Sequence, residues 1–175
     1  MFRVPFGKGF LEFELPPGFE GHVVESREAE PVPDLDWAVR AALAEPENSP
    51  PLREMARPGD KVCIVFTDAT RASPDHVLVP AILKELKEAG VRDEDVTLLC
   101  GVGMHRPSTY EEKVEKLTAE VVRRYRVLDH EPQNPEMLMD LGETETGIPL
   151  QVNRIACEAD IPVSYTHLRA HETGR

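Results

Sequence analysis

Long apolar runs, an excess of basic residues and a dense set of cysteines are all missing from this sequence of 175 residues. Because no run approaches the roughly 20 apolar residues that a membrane-spanning helix needs, we expect no membrane partner. The formal net charge of −12 argues against a nucleic-acid partner, since such binding depends on Lys and Arg that neutralise phosphates. The first residues lack the apolar stretch of a signal peptide, so we expect a cytoplasmic protein.

The composition, with 41% hydrophobic and 30% charged residues, suits one globular domain with a real core. The cysteines Cys63, Cys100 and Cys157 are odd in number and far apart in the chain. Cys63 and Cys100 lie in apolar, strand-like runs. We therefore predict that these two are small core residues rather than metal ligands or nucleophiles.

Residues 1–33 have the pattern of a short N-terminal β segment. Strands are predicted over residues 2–5, 10–15 and 22–25, because Gly-Lys-Gly and Pro-Pro-Gly turns separate these stretches. A proline cluster follows and ends at Asp34, a residue type that commonly caps a helix.

Residues 34–161 change to helices and then to alternating strands and helices. Apolar periodicity predicts helices over residues 35–44, 52–56, 75–89 and 109–125. Ser49 is expected to cap the second, and the last is expected as one helix or two pieces. Continuous apolar runs predict buried strands over residues 62–66 and 96–100, and a third, shorter strand is predicted over residues 126–128. The fold class expected is α/β, a Rossmann-like parallel sheet with flanking helices, preceded by the short N-terminal β region.

Residues 162–175 have a different character from the rest. Ala159 to Ile161 look like the start of another buried strand, but Pro162 and the residues after it do not continue that pattern. The stretch resembles a translated sequencing adapter. We predict a non-native tail, in which His167 and His171 are not ligands, and a native sequence that stops near Ile161.

Polar residues follow each predicted strand of the sheet, where open parallel sheets bind their ligands. Residues 67–74 follow the first strand, residues 101–109 the second, and Asp129 with His130 the third. If the first two strands are neighbours, Arg71 and His105 converge on one crevice. A guanidinium can hold a carboxylate and an imidazole can take a proton near neutral pH, so the pair predicts a site for a small acid.

Each polar residue also has a structural interpretation. Asp68 and Thr70 could cap the next helix, Arg71 could be a solvated charge, and Gly103 could serve a tight turn. His76 is expected to be a surface or cap residue, and His22 is assigned no function. The role of His130 stays open.

These residues together resemble the nickel-dependent lactate racemase family, over about residues 6–161. The Asp-x-Thr-Arg and Gly-x-His-Arg motifs, in this order, are the specific part of the resemblance. The landmarks are Pro5-Phe6-Gly7-Lys8, Ser49-Pro50-Pro51-Leu52, Asp68-Ala69-Thr70-Arg71 with Pro74, Gly101-Val102-Gly103-Met104-His105-Arg106, Thr109 with Glu112, Asp129-His130, Leu141-Gly142-Glu143-Thr144-Glu145-Thr146-Gly147-Ile148-Pro149, and Asn153 with Glu158, Ala159 and Asp160.

The resemblance implies an isomerase, a racemase or epimerase of 2-hydroxy acids. Its cofactor would be a covalently attached nickel-pincer nucleotide that takes a hydride from the alpha carbon, supplied with the help of cofactor-maturation proteins. By resemblance His105 would be one acid–base histidine, and Arg71 and Asp68 would bind the substrate. Thr70 and Gly103 would contact the cofactor.

The resemblance also implies that key parts of the family's site lie beyond this chain. The lysine that tethers the cofactor, the second catalytic histidine and the nickel-ligand histidine have no counterpart here. We therefore expect an inactive fragment, with no metal ligand among its residues.

Two other functions remain open. A metal-dependent hydrolase would use His76, His105 and His130 with Asp68, although zinc ligands usually form tighter local pairs. A non-catalytic module for a small carboxylate or nucleotide would bind phosphate near Gly101, at a helix N-terminus.

Overall fold

The computed structural model describes residues 1–7, 9–24 and 30–165. The chain divides into two compact units, Met1–Pro33 and Asp34–Arg175. In the first unit, β1 (Phe2–Phe6) and β2 (Gly9–Phe13) form an antiparallel hairpin. The third strand predicted there is wrong over residues 22–24, which form no strand and expose their valines, while residue 25 lies outside the described residues.

The second unit combines strands and helices in alternation. Its strands are β3 (Val62–Phe66), β4 (Val96–Cys100), β5 (Arg126–Asp129), β6 (Leu138–Glu143), β7 (Pro149–Asn153) and β8 (Ile161–Ser164). Its helices are α1 (Leu35–Ala44), α2 (Leu52–Met55), α3 (Asp75–Glu88), α4 (Tyr110–Leu117), α5 (Ala119–Arg124) and α6 (Arg154–Cys157).

Four parallel strands form the central sheet, in the order β5-β4-β3-β8. The apolar runs of β3 and β4 are buried because helices flank the sheet, and Ile64 and Leu98 are both 0% exposed. On α3, Val79 and Leu86 pack into the same core, as does Leu117 of α4. The α/β class with a parallel sheet and flanking helices is confirmed.

The predicted helix ends are partly confirmed. Asp34 caps α1 by accepting a hydrogen bond from the Trp37 N–H at 2.9 Å. Thr118, at φ 83°, separates α4 from α5 and caps the latter, so the predicted helical stretch is indeed in two pieces. The predicted Ser49 cap is wrong. The N-cap of α2 is Pro51, and the Ser49 hydroxyl donates to the Pro50 carbonyl instead.

The sheet's last strand runs further than the sequence predicted. Pro162 was expected to end it, yet β8 continues to Ser164 in parallel register with β3. Proline is tolerated at a sheet edge, where its missing N–H faces away from the partner strand. That residues 162–175 are a non-native tail remains a prediction.

The antiparallel hairpin of β6 and β7 was not predicted. Most of its residues are exposed, so the apolar alternation that marks a half-buried strand is weak. It leads to Asn153 and then directly into α6. Among the described residues, no helix is both long and apolar enough to cross a membrane.

Candidate active site at the carboxyl edge of the sheet

The three predicted polar clusters lie side by side. Since β3, β4 and β5 are parallel neighbours, their carboxyl ends meet at one edge of the sheet. Backbone hydrogen bonds tie the exits together: the Gly101 N–H donates to the Phe66 carbonyl at 2.9 Å, and the His130 N–H donates to the Cys100 carbonyl at 2.9 Å.

Asp68 and His105 form the central contact of this edge. The Asp68 Oδ2 lies 2.5 Å from the His105 Nδ1. The second carboxylate oxygen accepts from Thr70 twice, from the hydroxyl at 2.6 Å and from the backbone N–H at 3.0 Å. Asp68 is buried, whereas the His105 side chain is 53% exposed. The aspartate is therefore anchored within the protein and the imidazole extends from it towards solvent.

The ionisation of Asp68 determines which nitrogen of His105 carries a proton. Burial would raise the pKa of Asp68, but hydrogen bonds from Thr70 and His105 outweigh it and hold that pKa below its ordinary value. An ionised carboxylate can only accept, so the Nδ1 of His105 must donate. In the neutral ring the Nε2 then carries the free lone pair, which is the arrangement that a general base requires.

A buried ion pair lies beneath the same loop. Lys116 of α4 pairs with Asp75 at 2.8 Å, with side chains 9% and 0% exposed. Its ammonium also donates to the carbonyls of Arg71 at 2.9 Å and Ser73 at 3.3 Å. The Thr67 hydroxyl donates to Asp75 at 2.7 Å. These contacts fix the loop that carries Asp68, Thr70 and Arg71.

Sequence reasoning missed this ion pair. The Lys116 ammonium donates to carbonyls that lie 45 and 43 positions earlier in the chain, and no local sequence motif marks such a contact. The only available signal was its position beside Leu117, on the face by which α4 meets the core.

Arg71 is half-buried and its backbone is held at both ends, by the Lys116 contact and by its own N–H to the Asp68 carbonyl at 3.1 Å. Within the described residues its guanidinium makes no hydrogen bond or ion pair. The structure therefore brings Asp68, Thr70 and His105 together, but it shows no contact between the Arg71 side chain and that group. The substrate-binding role of Arg71 remains a prediction.

The loop before α4 is fastened by its own residues. Arg106 holds Glu112 with two hydrogen bonds, at 2.8 and 2.6 Å, and Glu112 also accepts from the Thr109 N–H at 2.8 Å. Hydrogen bonds from Arg106 and Thr109 lower the pKa of Glu112 from 4.5 to about 2. Thr109 and Glu112 form a capping box, so a carboxylate already occupies this helix N-terminus.

Gly103 serves the turn that presents His105. It adopts φ +57°, and the His105 N–H donates to the Val102 carbonyl at 3.0 Å. A Cβ built on Gly103 would meet nothing within 4 Å, so the glycine is needed for its backbone angle and not for a close approach. The cofactor-contact roles of Gly103 and Thr70 remain predictions, and the Thr70 hydroxyl is already engaged by Asp68.

A cavity of about 410 Å³ opens beside His105. Its walls include Met104, Arg106, His130, Gln133 and Asn134. His130, whose role the sequence left open, thus shares a cavity with His105. His76 is exposed on α3, as expected for a surface residue.

The metal-dependent alternative finds no support in this geometry. In the part of the chain that the structure describes, no group of three or more His, Cys, Asp or Glu side chains could hold a metal ion. His76, His105 and His130 with Asp68 do not form such a group. For the same reason the described residues do not by themselves fit the nickel group that the resemblance implies.

Comparisons with known proteins identify the family of this chain. The family model described as "Lactate racemase N-terminal domain" matches residues 6–173. The lactate racemase of Lactiplantibacillus plantarum is 30% identical over 76% of this chain and 31% of its own length. That of Thermoanaerobacterium thermosaccharolyticum is 26% identical over 97% of this chain and 40% of its own length. The chain therefore spans well under half of these relatives.

Solved structures match in the same way. The lactate racemase apoprotein from T. thermosaccharolyticum superposes with a TM-score of 0.73 and 29% identity, covering 93% of this chain and 37% of that one. A Thermotoga maritima protein, at 24% identity and a TM-score of 0.60 over 78% of this chain and 34% of its own, shares the fold. With a family model that matches almost the whole sequence, this chain belongs to the lactate racemase N-terminal domain family.

Proposed function

We propose that this chain is the substrate-binding domain of a 2-hydroxy-acid racemase or epimerase, and that His105 is one of its acid–base groups. The observation that carries the proposal is the Asp68–His105 pair, which leaves the Nε2 of a half-exposed imidazole free beside a cavity. Membership of the lactate racemase family supports the substrate class.

The chemistry assigns separate tasks to the residues. In racemisation, the hydroxyl of the acid loses its proton when hydride leaves the alpha carbon, so that an alpha-keto acid results. His105 would take that proton on Nε2 and return it later, while Asp68 holds the ring through Nδ1. Arg71 would bind the substrate carboxylate, since a guanidinium suits it well.

By resemblance, the hydride acceptor would be supplied by a nickel-pincer nucleotide. None of the described residues is proposed to hold nickel, and no step here depends on one of them doing so. We propose accordingly that this chain alone binds the acid without racemising it. Substrate identity within the class would depend on a few contacts worth about 1–3 kcal/mol each.

A binding module for a small carboxylate is the second candidate function, because it needs the same Arg71 and His105 without the chemistry. A module that binds a nucleotide instead of a carboxylate has less support. The Glu112 carboxylate already occupies the N-terminus of α4, where a phosphate would have to lie.

The test is a titration of the chain with L-lactate, followed by NMR of ¹⁵N-labelled histidine and arginine side chains. We expect the His105 and Arg71 signals to shift and the Arg71→Ala variant to lose most of the binding. The matched control is Arg123→Ala, an exposed arginine on α5, which should bind normally. Binding of ADP without binding of lactate would favour the nucleotide module and contradict the proposal.

A further inference from the structure

His130 is held by a partner that fixes its tautomer. The Asn153 Nδ2 lies 3.0 Å from the His130 Nδ1. Asn153 is buried, at 6% exposure, and its other side-chain atom, Oδ1, accepts from the Ile155 N–H at 3.0 Å. A backbone N–H can only donate, so the oxygen must face Ile155 and the amide nitrogen must face His130.

This assignment decides where the imidazole proton lies. The Asn153 amide donates, so the Nδ1 of His130 has to accept and carries no proton. The proton is then on Nε2. His130 lines the cavity and Asn153 does not. Because Asn153 occupies the Nδ1 of the ring, the Nε2–H is the group that a molecule bound in the cavity could contact.

The two histidines of the cavity are thus complementary. His105 gives its Nδ1–H to Asp68 and keeps a lone pair on Nε2, whereas His130 accepts on Nδ1 and keeps a donor on Nε2. One cavity wall offers an acceptor and another offers a donor. A 2-hydroxy acid has the matching groups, a hydroxyl that donates and a carboxylate that accepts.

We propose that His130 is a substrate-binding residue of this cavity, which donates a hydrogen bond from Nε2–H to a carboxylate oxygen of the 2-hydroxy acid, and that Asn153 is its positioning residue. The inference rests on the proposed function for the identity of the ligand. It explains why the β6–β7 hairpin ends at a buried asparagine. That residue caps α6 with one atom and orients His130 with the other.

The first measurement is the tautomer of each histidine in the unliganded chain, by long-range ¹H–¹⁵N NMR of histidine-labelled protein. We expect an unprotonated Nδ1 for His130 and an unprotonated Nε2 for His105, with signals assigned through His130→Gln and His105→Gln. A protonated Nδ1 on His130 would overturn the inference, whatever the ligand proves to be.

The decisive variant is Asn153→Asp. Asp caps helices as well as Asn, so α6 keeps its N-cap, but the variant presents an oxygen to the Nδ1 of His130 and should move the proton there. Asn153→Ser also keeps a cap while removing the amide donor. Asn134→Asp is the matched control, since Asn134 caps a short 3₁₀ helix beside the same cavity and should leave the His130 tautomer unchanged.

The ligand is tested with L-lactate, acetate and 1,2-propanediol. We expect lactate and acetate to shift the His130 Nε2–H, and propanediol, which lacks a carboxylate, to leave it in place. Loss of one hydrogen bond to a charged group should weaken lactate binding by about tenfold or more in Asn153→Asp and in His130→Gln.

The outcomes separate the two proposals. If lactate shifts His105 but neither shifts His130 nor depends on it, the role of His130 is wrong and the proposed function stands. If lactate shifts neither histidine, the proposed function fails and the binding role of His130 fails with it.

Discussion

Two carboxylates that follow β3, Asp68 and Asp75, have nitrogen partners of opposite kinds. Asp75 is 0% exposed, and the ammonium of its partner, Lys116, is fully engaged by a carboxylate and two carbonyls. Asp68 is also buried, but its partner His105 is half exposed and uses only one of two ring nitrogens. The first pair is closed to solvent and the second is not.

The difference shows which pair can take part in chemistry. A pair that is closed to solvent can only hold structure, because a ligand would have to enter the core and displace the hydrogen bonds of Lys116. A group with one unengaged position on a rigid support can bind or transfer a proton. The loop of residues 67–74 carries Asp68, and its Arg71 and Ser73 carbonyls accept from Lys116, so the buried pair supports the loop and the exposed pair acts from it.

The largest effect should come from the buried pair of Asp75 and Lys116. In Lys116→Met the Asp75 carboxylate stays buried without its cation, and removing one partner of a buried pair costs about 3–5 kcal/mol of unfolding free energy. Urea unfolding measures this. The control is Lys84→Met, which removes an exposed ion pair with Glu88 and should change stability by about 0.5 kcal/mol or less.

A second variant separates charge burial from lost packing. Adding Asp75→Asn to Lys116→Met removes the stranded charge and should restore a large part of the stability. If Lys116→Met alone unfolds at the wild-type urea concentration, the ion pair does not support this loop.

The exposed pair of Asp68 and His105 should show the reverse pattern. His105→Ala removes one hydrogen bond from the buried Asp68, which keeps its two bonds from Thr70, so we expect a loss of unfolding free energy of about 1 kcal/mol, smaller than in Lys116→Met. In a racemase that carries this domain, the same change should lower turnover of lactate by about 10²–10⁴-fold, the usual worth of a general base. Turnover at the wild-type rate would show that another group takes the hydroxyl proton.

The sequence predicted well the regions that depend on contacts between neighbouring residues, and poorly those that depend on contacts between residues far apart in the chain. β3, β4 and α3 were predicted almost to the residue because the signal is local, a continuous apolar run or a periodic one that ends at Gly90. Sheet topology predicted that Arg71 and His105 would lie at one edge, but the contact that the structure shows there is between Asp68 and His105. No local signal could join Asp75 to Lys116, or Asn153 to His130, since these contacts depend on how distant helices and hairpins pack.

Errors arose where local preference was overridden. Pro162 favoured an end to the last strand, but an edge strand accommodates it. Ser49 has the chemistry of a helix cap, yet its hydroxyl donates to the next carbonyl and Pro51 begins the helix. Both residues adopt conformations that are ordinary for their type. Whether Pro162 ends a strand and whether Ser49 caps a helix depends on the structure around them.

Acid should loosen the loop that presents His105. The pKa of Glu112 is about 2 in the folded chain against an ordinary 4.5, so the unfolded state binds the proton more readily. The stabilisation from its hydrogen bonds is therefore fully present above pH 4.5 and is lost as the pH falls towards 2. The lowered pKa of Asp68 acts in the same direction. Unfolding in urea at decreasing pH should show this loss, and Glu112→Gln should reduce its slope, whereas Glu111→Gln, an exposed neighbour, should not.

The smallest effect concerns the cysteines, which report on how rigid the surroundings of the Asp68–His105 pair are. Burial raises the pKa of Cys63 and of Cys100 to about 11 each, and the two are 0% and 1% exposed. At neutral pH their thiolate fraction is near 10⁻⁴, by roughly four pKa units. A thiol reagent should therefore modify only the half-buried Cys157 in the folded chain and all three cysteines in urea. Cys157→Ser should abolish the native reaction. Cys100 ends β4 directly before the His105 loop, so its rapid modification would mean that the loop opens, and that the Asp68–His105 pair is less firmly supported than the Lys116 contacts imply.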